Sequence, residues 1–170
     1  MIEKYTDKLW KAIEKELLKV QDLETVVLKS HLLVETQINT ALETLLNSSI
    51  DAVHLQFSQK LELLACIWPD LKKETIPGPR SPYENWKGLN RIRNKIAHQL
   101  SPENKRKMLV DWVTKVLGYK LKTINRTTVL RHNIIKAVVF EVAYISGRTK
   151  AFQVCSDNSV QRAAGKPRVN

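Results

Sequence analysis

Glycine and proline are scarce in this 170-residue chain, at five and six residues, which excludes collagen-like, elastic and wholly disordered classes. Cysteine is scarcer still. Cys66 and Cys155 stand far apart, with no C-x-x-C and no matched His/Cys spacing. Neither a disulfide scaffold nor a zinc site is indicated, so both are expected as reduced thiols and no metal or cofactor is expected. No stretch approaches the run of about 18 apolar residues that a membrane span needs. The opening MIEKYTDKLWKAIEKELLKV threads charges through its apolar positions, unlike a signal peptide or an anchor. The expectation is a cytoplasmic protein with no membrane partner, in which the N-x-[ST] triplets at Asn47 and Asn125 carry no glycan.

What is present is a composition 43% apolar and 26% charged, enough for one cooperative core. The formal charge of +11 is unevenly placed: residues 1–70 hold 7 basic and 11 acidic groups, whereas 71–170 hold 21 and 6. That asymmetry is the electrostatic footprint of a polyanion partner, nucleic acid before membrane.

Apolar residues recur at helical spacing through almost the whole chain. Residues 3–20 carry Tyr5, Leu9, Ile13 and Leu17, and 23–46 carry Val27, Val34, Ile38 and Leu42. A shorter helix is expected over 55–67, ending before Pro69. Residues 69–82 hold four of the six prolines and read as an irregular connection. The period returns from Tyr83 to Leu100, then from Pro102 to Leu117 behind a cap at Ser101, stopping at Gly118. The last clear helix is expected over 127–146. Its β-branched content could suit a strand, but paired apolar positions such as Ile134/Ile135 and Val138/Val139 fit a buried helical stripe. The expected architecture is an all-α, up-and-down bundle of five or six helices in a domain over 1–155, with 156–170 a flexible basic tail.

The informative stretch is Leu89-Asn90-Arg91-Ile92-Arg93-Asn94-Lys95-Ile96-Ala97-His98-Gln99-Leu100. It resembles the R-x4-6-H signature of the HEPN superfamily, small α-helical proteins that include many RNA-cleaving toxins. The match is the R-N-x-x-A-H form, with Arg93, Asn94, Ala97 and His98 in place. The resemblance implies a metal-independent endoribonuclease working as a homodimer, with RNA as substrate and a cognate antitoxin protein as a possible second partner. It implies Arg93, His98 and Asn94 as the catalytic set. Imidazole titrates near enough to neutrality to take a proton from a 2′-hydroxyl or give one to a leaving 5′-oxygen, and guanidinium suits the charge that builds on phosphorus oxygens. RNxxAH-bearing relatives also include regulators similar to the mannitol operon repressor, so a non-catalytic interaction protein is the alternative.

At about 100° per residue, with Leu89 at zero, Ile92, Ile96 and Leu100 lie within about 60° of it, whereas His98 falls opposite. Lys87, Arg91 and Lys95 lie on the polar side and are candidate RNA contacts. Arg93 falls at about 40°, inside the apolar arc, where a guanidinium either is paired or points into a second, interface-forming surface. The second helix places Glu35 and His31 in its own apolar stripe, so a Glu35–Arg93 ion pair, with His31 as a hydrogen-bonding neighbour, is expected to orient the motif. Simpler readings stand beside these: His98 also suits a helix end, Arg93 also suits a structural ion pair, and His31 suits a satisfied core position. The Lys105-Arg106-Lys107 run reads as a solvated helix face or as an RNA backbone contact.

Overall fold

In the computed structural model, which describes residues 11–47, 54–73, 81–97, 101–121 and 126–163, the regular elements among the described residues are all helical. We number them α1 (11–18), α2 (Leu23–Leu46), α3 (Phe57–Ile67), α4 (Pro82–Ala97), α5 (Pro102–Leu117) and α6 (Thr127–Ala163), with a 3₁₀ turn over Pro69–Lys72. The expected all-α bundle is therefore what forms. Expectations that fall on residues 3–10, on the proline-rich 74–80, on His98, Gln99 and Leu100, and on 164–170 lie outside the described residues.

Local chemistry explains the boundaries. Asp22 caps α2 by accepting from the Thr25 N–H at 2.7 Å. Asn47 ends that helix at φ 45°, a left-handed conformation that Asn tolerates better than most residues. Ser101 occupies the cap position of α5 without a side-chain cap bond, and Pro102 follows as the first helical residue. Gly118, at φ 71°, closes the same helix with its N–H on the Thr114 carbonyl.

The core is built on the pairing of α2 with α6, with α3 and α4 packed on α2 and α5 bridging α4 and α6. Val27, Val34, Ile38 and Leu42 of α2 are fully buried, as are Ile134, Ile135, Val138 and Ile145 of α6. The paired β-branched positions of α6 thus form the helical stripe expected of them. Trp68, Trp86 and Trp112 are buried core residues. Trp112 donates its ring N–H to the Asn85 carbonyl at 2.8 Å, and Gly88 permits the approach, since a Cβ there would meet the Trp112 ring at 3.1 Å.

The expected end of the last helix at 146 is corrected: α6 continues to Ala163, so 156–163, where the aperiodic composition suggests a tail, are helical. Tertiary contacts add to the weak local signal just past Gly147: Arg148 binds Asp70 and lies 4.9 Å from the Trp68 ring centroid, and Thr149 is buried.

A second feature invisible to the periodicity is Glu141, a carboxyl fully buried in the α6 stripe. Asn85 Nδ2 and the Trp86 ring N–H donate to its two oxygens at 2.8 and 2.5 Å. Burial pushes this carboxyl up to about 8, even though both donors favour its charged form. The group is a neutral hydrogen-bonding pin between α4 and α6.

Candidate functional site

The α4 run from Leu89 to Ala97 divides by face. Leu89, Ile92 and Ile96 are buried against the core, and Lys87, Arg91 and Lys95 are exposed. Lys87 places its ammonium 5.5 Å from the centroid of the Tyr83 ring, one turn earlier. The remaining flank, Asn90, Arg93 and Asn94, turns toward α2 and the start of α3. It encloses with them a cavity of about 330 Å³ lined by His31, Glu35, Leu55, Gln56, Phe57, Ser58, Asn90, Arg93 and Asn94.

The floor of this cavity is a chain of polar contacts drawn from three helices. His31 Nε2 lies 3.0 Å from Asn90 Oδ1. Because an amide oxygen faces Nε2, the neutral ring carries its proton there and turns its Nδ1 lone pair toward Glu35. The Nδ1 to Glu35 Oε2 separation is 3.8 Å. Glu35 Oε1 in turn accepts from Lys60 Nζ at 2.7 Å. The His31 ring also packs on Phe57, with centroids 4.5 Å apart and planes tilted by 40°.

Burial pushes the His31 imidazole below its ordinary value. The Asn90 bond and the Glu35 carboxylate pull it back up, and the positive charges of Arg93 and Lys60 hold it down. It is therefore a neutral hydrogen-bonding group near pH 7.

Two expectations about Arg93 are corrected. Its side chain is exposed rather than sunk in the apolar arc, and its guanidinium donates to Asn94 Oδ1 at 2.9 Å instead of pairing with Glu35. Glu35 takes Lys60 as its ion partner. The reason is the neighbour at that level of α4: the first turn of α3, with the residues just before it, leaves the Arg93 flank open to the cavity. Arg93, Asn94, Glu35 and His31 do line one cavity. His98 lies outside the described residues, and with it any statement of its contacts.

Sequence reasoning missed Asn90 and Lys60. Asn90 falls between Arg93 and Asn94 on the helical projection, so its place on their flank was readable. Lys60 interrupts the apolar spacing of Phe57, Leu61 and Leu64, and it is 4% exposed, the mark of a cation with a dedicated partner. In the Lys105-Arg106-Lys107 run, Lys105 binds Glu24 at 2.6 Å and Arg106 donates to Thr127 Oγ1 at 3.4 Å. Those two tie α5 to α2 and α6.

Among the described residues, no group of three or more His, Cys, Asp or Glu side chains could hold a metal ion. No helix among them is long and apolar enough to cross a membrane. No protein-family model, curated protein or solved structure matches the chain.

Proposed function

We propose that this chain is a HEPN-type endoribonuclease that cleaves single-stranded RNA without a metal ion, as a homodimer in which the motif segments of two copies share one cleft. The observation that carries the reading is the display of Arg93 and Asn94 at the mouth of a polar cavity, on a helix whose outer face carries exposed Lys87, Arg91 and Lys95. The strongly basic 71–170 segment supports the same partner class, since neutralising phosphates is the sequence-independent part of binding RNA.

The chemistry assigned is transesterification. The ribose 2′-oxygen forms a bond to the adjacent phosphorus as the bond from phosphorus to the 5′-oxygen breaks, leaving a 2′,3′-cyclic phosphate and a 5′-hydroxyl. His98 of one copy takes the 2′-hydroxyl proton and His98 of the other returns one to the departing oxygen. Arg93 offers paired N–H donors to the equatorial oxygens, where negative charge grows. Asn94 holds the guanidinium through the 2.9 Å bond. DNA has no 2′-hydroxyl and is excluded at the chemical step. Within a cell, such an activity suits the toxin of a two-gene defence module whose second product neutralises it.

The test is incubation of the purified chain with single-stranded RNA in EDTA. Cyclic-phosphate ends should form, and Arg93→Ala and His98→Ala should each lower the rate at least about 100-fold while circular dichroism stays native. Intact RNA after incubation with the folded wild-type chain would leave a HEPN-like regulatory or interaction protein as the reading.

A further inference from the structure

Resting on the ribonuclease reading, we infer that the cavity between α2, α3 and α4 is a base-recognition pocket that takes one unstacked guanine of the RNA, with the neighbouring phosphate at Arg93. The volume of about 330 Å³ sits at the lower end of the range of about 300–1,000 Å³ for small-ligand sites. It suits a flat heterocycle rather than an extended ligand. The His31 and Phe57 rings, in contact at 4.5 Å, give the floor an aromatic side, and aromatic contact is how single-stranded bases are generally held.

The polar groups decide the ligand class. An anion in the floor would face the Glu35 carboxylate, whose charge the buried Lys60 ammonium already balances at 2.7 Å. The cation that remains for a phosphate is Arg93 at the mouth. A base, by contrast, offers donors and acceptors together. Asn90 gives its amide oxygen to His31 and Asn94 gives its own to Arg93, so both present amide N–H donors to a ligand. The Glu35 carboxylate, 25% exposed, presents the acceptor side. An edge with adjacent N–H donors beside a carbonyl acceptor matches this set, and among the four RNA bases that edge is guanine's N2, N1 and O6.

The experiment is equilibrium titration of the full chain, in EDTA, with GMP, AMP, CMP, UMP and ribose 5-phosphate, followed by calorimetry. GMP should bind at least about 10-fold more tightly than the other four ligands, the discrimination expected of one good two-point contact. Ser58→Trp should erase that preference, because it fills the cavity from an exposed position and removes none of the floor contacts. Asn90→Ala should reduce the preference if its melting curve is native. Arg93→Ala should weaken all the phosphorylated ligands, ribose 5-phosphate included, since each loses the same phosphate contact.

Equal binding of GMP and ribose 5-phosphate, a preference for another base, or a GMP preference that survives Ser58→Trp would overturn the pocket assignment. Guanine-selective binding by a chain that leaves RNA intact would sink the nuclease reading and keep the pocket. Cleavage of RNA by a chain that binds all five ligands alike would do the reverse.

Discussion

Lys60 on α3 and Glu35 on α2 meet at 2.7 Å with the lysine side chain 5% exposed, so a buried ammonium and its counter-charge join two helices beneath the cavity. The same carboxylate reaches toward His31, which reaches Asn90 on α4. One charge-balanced chain therefore links α2, α3 and α4. It keeps the cavity floor neutral overall and leaves Arg93 as the positive group at the rim.

Removing one member of that pair should cost far more than removing both. Glu35→Gln leaves Lys60 a carbonyl acceptor but removes its counter-charge, and should lower stability by about 1–3 kcal/mol in urea denaturation. The double variant Glu35→Gln/Lys60→Met should recover most of the loss, because no buried charge then lacks a partner. A Glu35→Gln protein within about 1 kcal/mol of wild type, the range of exposed pairs, would show that the pair does not act as a buried one.

His31 predicts an acid sensitivity of definite sign. Its folded-state pKa is depressed by burial, although Asn90 and Glu35 oppose the shift while Arg93 and Lys60 add to it. Below the ordinary histidine value the unfolded chain binds more protons than the native one. The contribution is therefore present above about pH 6.5 and is lost as pH falls through the lower native value. Urea midpoints measured from pH 7.5 down to 5 should fall more steeply for wild type than for His31→Phe. Equal slopes would mean that the ring is not desolvated as described.

Much of the bundle was legible because it rests on repeated apolar positions. The helix expected over 23–46 forms as Leu23–Leu46, and the paired residues of α6 distinguish a buried helix from a strand. The far end of α6 was not legible: the contacts that add to it just past Gly147 are those of Arg148 with Asp70 and Trp68, residues distant in sequence. The site was half legible for the same reason. A helical projection gives an angle but not the neighbour met at that angle, so it placed Arg93 against a core that is absent there and gave Glu35 the wrong cation. Lys60, the actual partner, comes from a third helix whose position one helix's periodicity cannot supply.

Glu141 should impose a pH dependence of the opposite sense. Its native pKa is raised to about 8 by burial, so its contribution is fully present below the unfolded carboxylate value near 4.3. It declines as pH rises from there and is lost through about 8, with a slope of at most about 1.4 kcal/mol per pH unit. Glu141→Gln should flatten this part of the stability profile between pH 5 and 8. The Asn85 amide oxygen, buried without a hydrogen bond, can rotate to accept from the new Gln N–H. Glu141→Leu leaves the Asn85 and Trp86 N–H groups unpaired and should destabilise the protein by about 1–3 kcal/mol for each stranded group. A wild-type profile that does not change on Glu141→Gln would contradict the neutral, buried carboxyl.

Arg93 offers the sharpest separation of charge from geometry, because its exposure frees its substitution from folding effects. Arg93→Lys keeps the positive charge at the cavity mouth but loses the planar fork and the fixed approach to Asn94 Oδ1. If Arg93 serves only as a phosphate-attracting charge, Arg93→Lys should cleave RNA nearly as fast as wild type, and both should slow alike as salt rises. If it stabilises the charge that grows on the phosphorus oxygens, Arg93→Lys should lose about 10²-fold in kcat with a small change in KM, and Arg93→Ala should lose at least as much. The second result is expected, since a bond made more strongly in the transition state than in the ground state appears in kcat. Melting temperatures of both variants should stay close to wild type, as surface substitutions usually change stability by less than about 0.5 kcal/mol. A loss of rate that tracked a loss of folded protein would remove Arg93 from the chemistry and return it to a structural role.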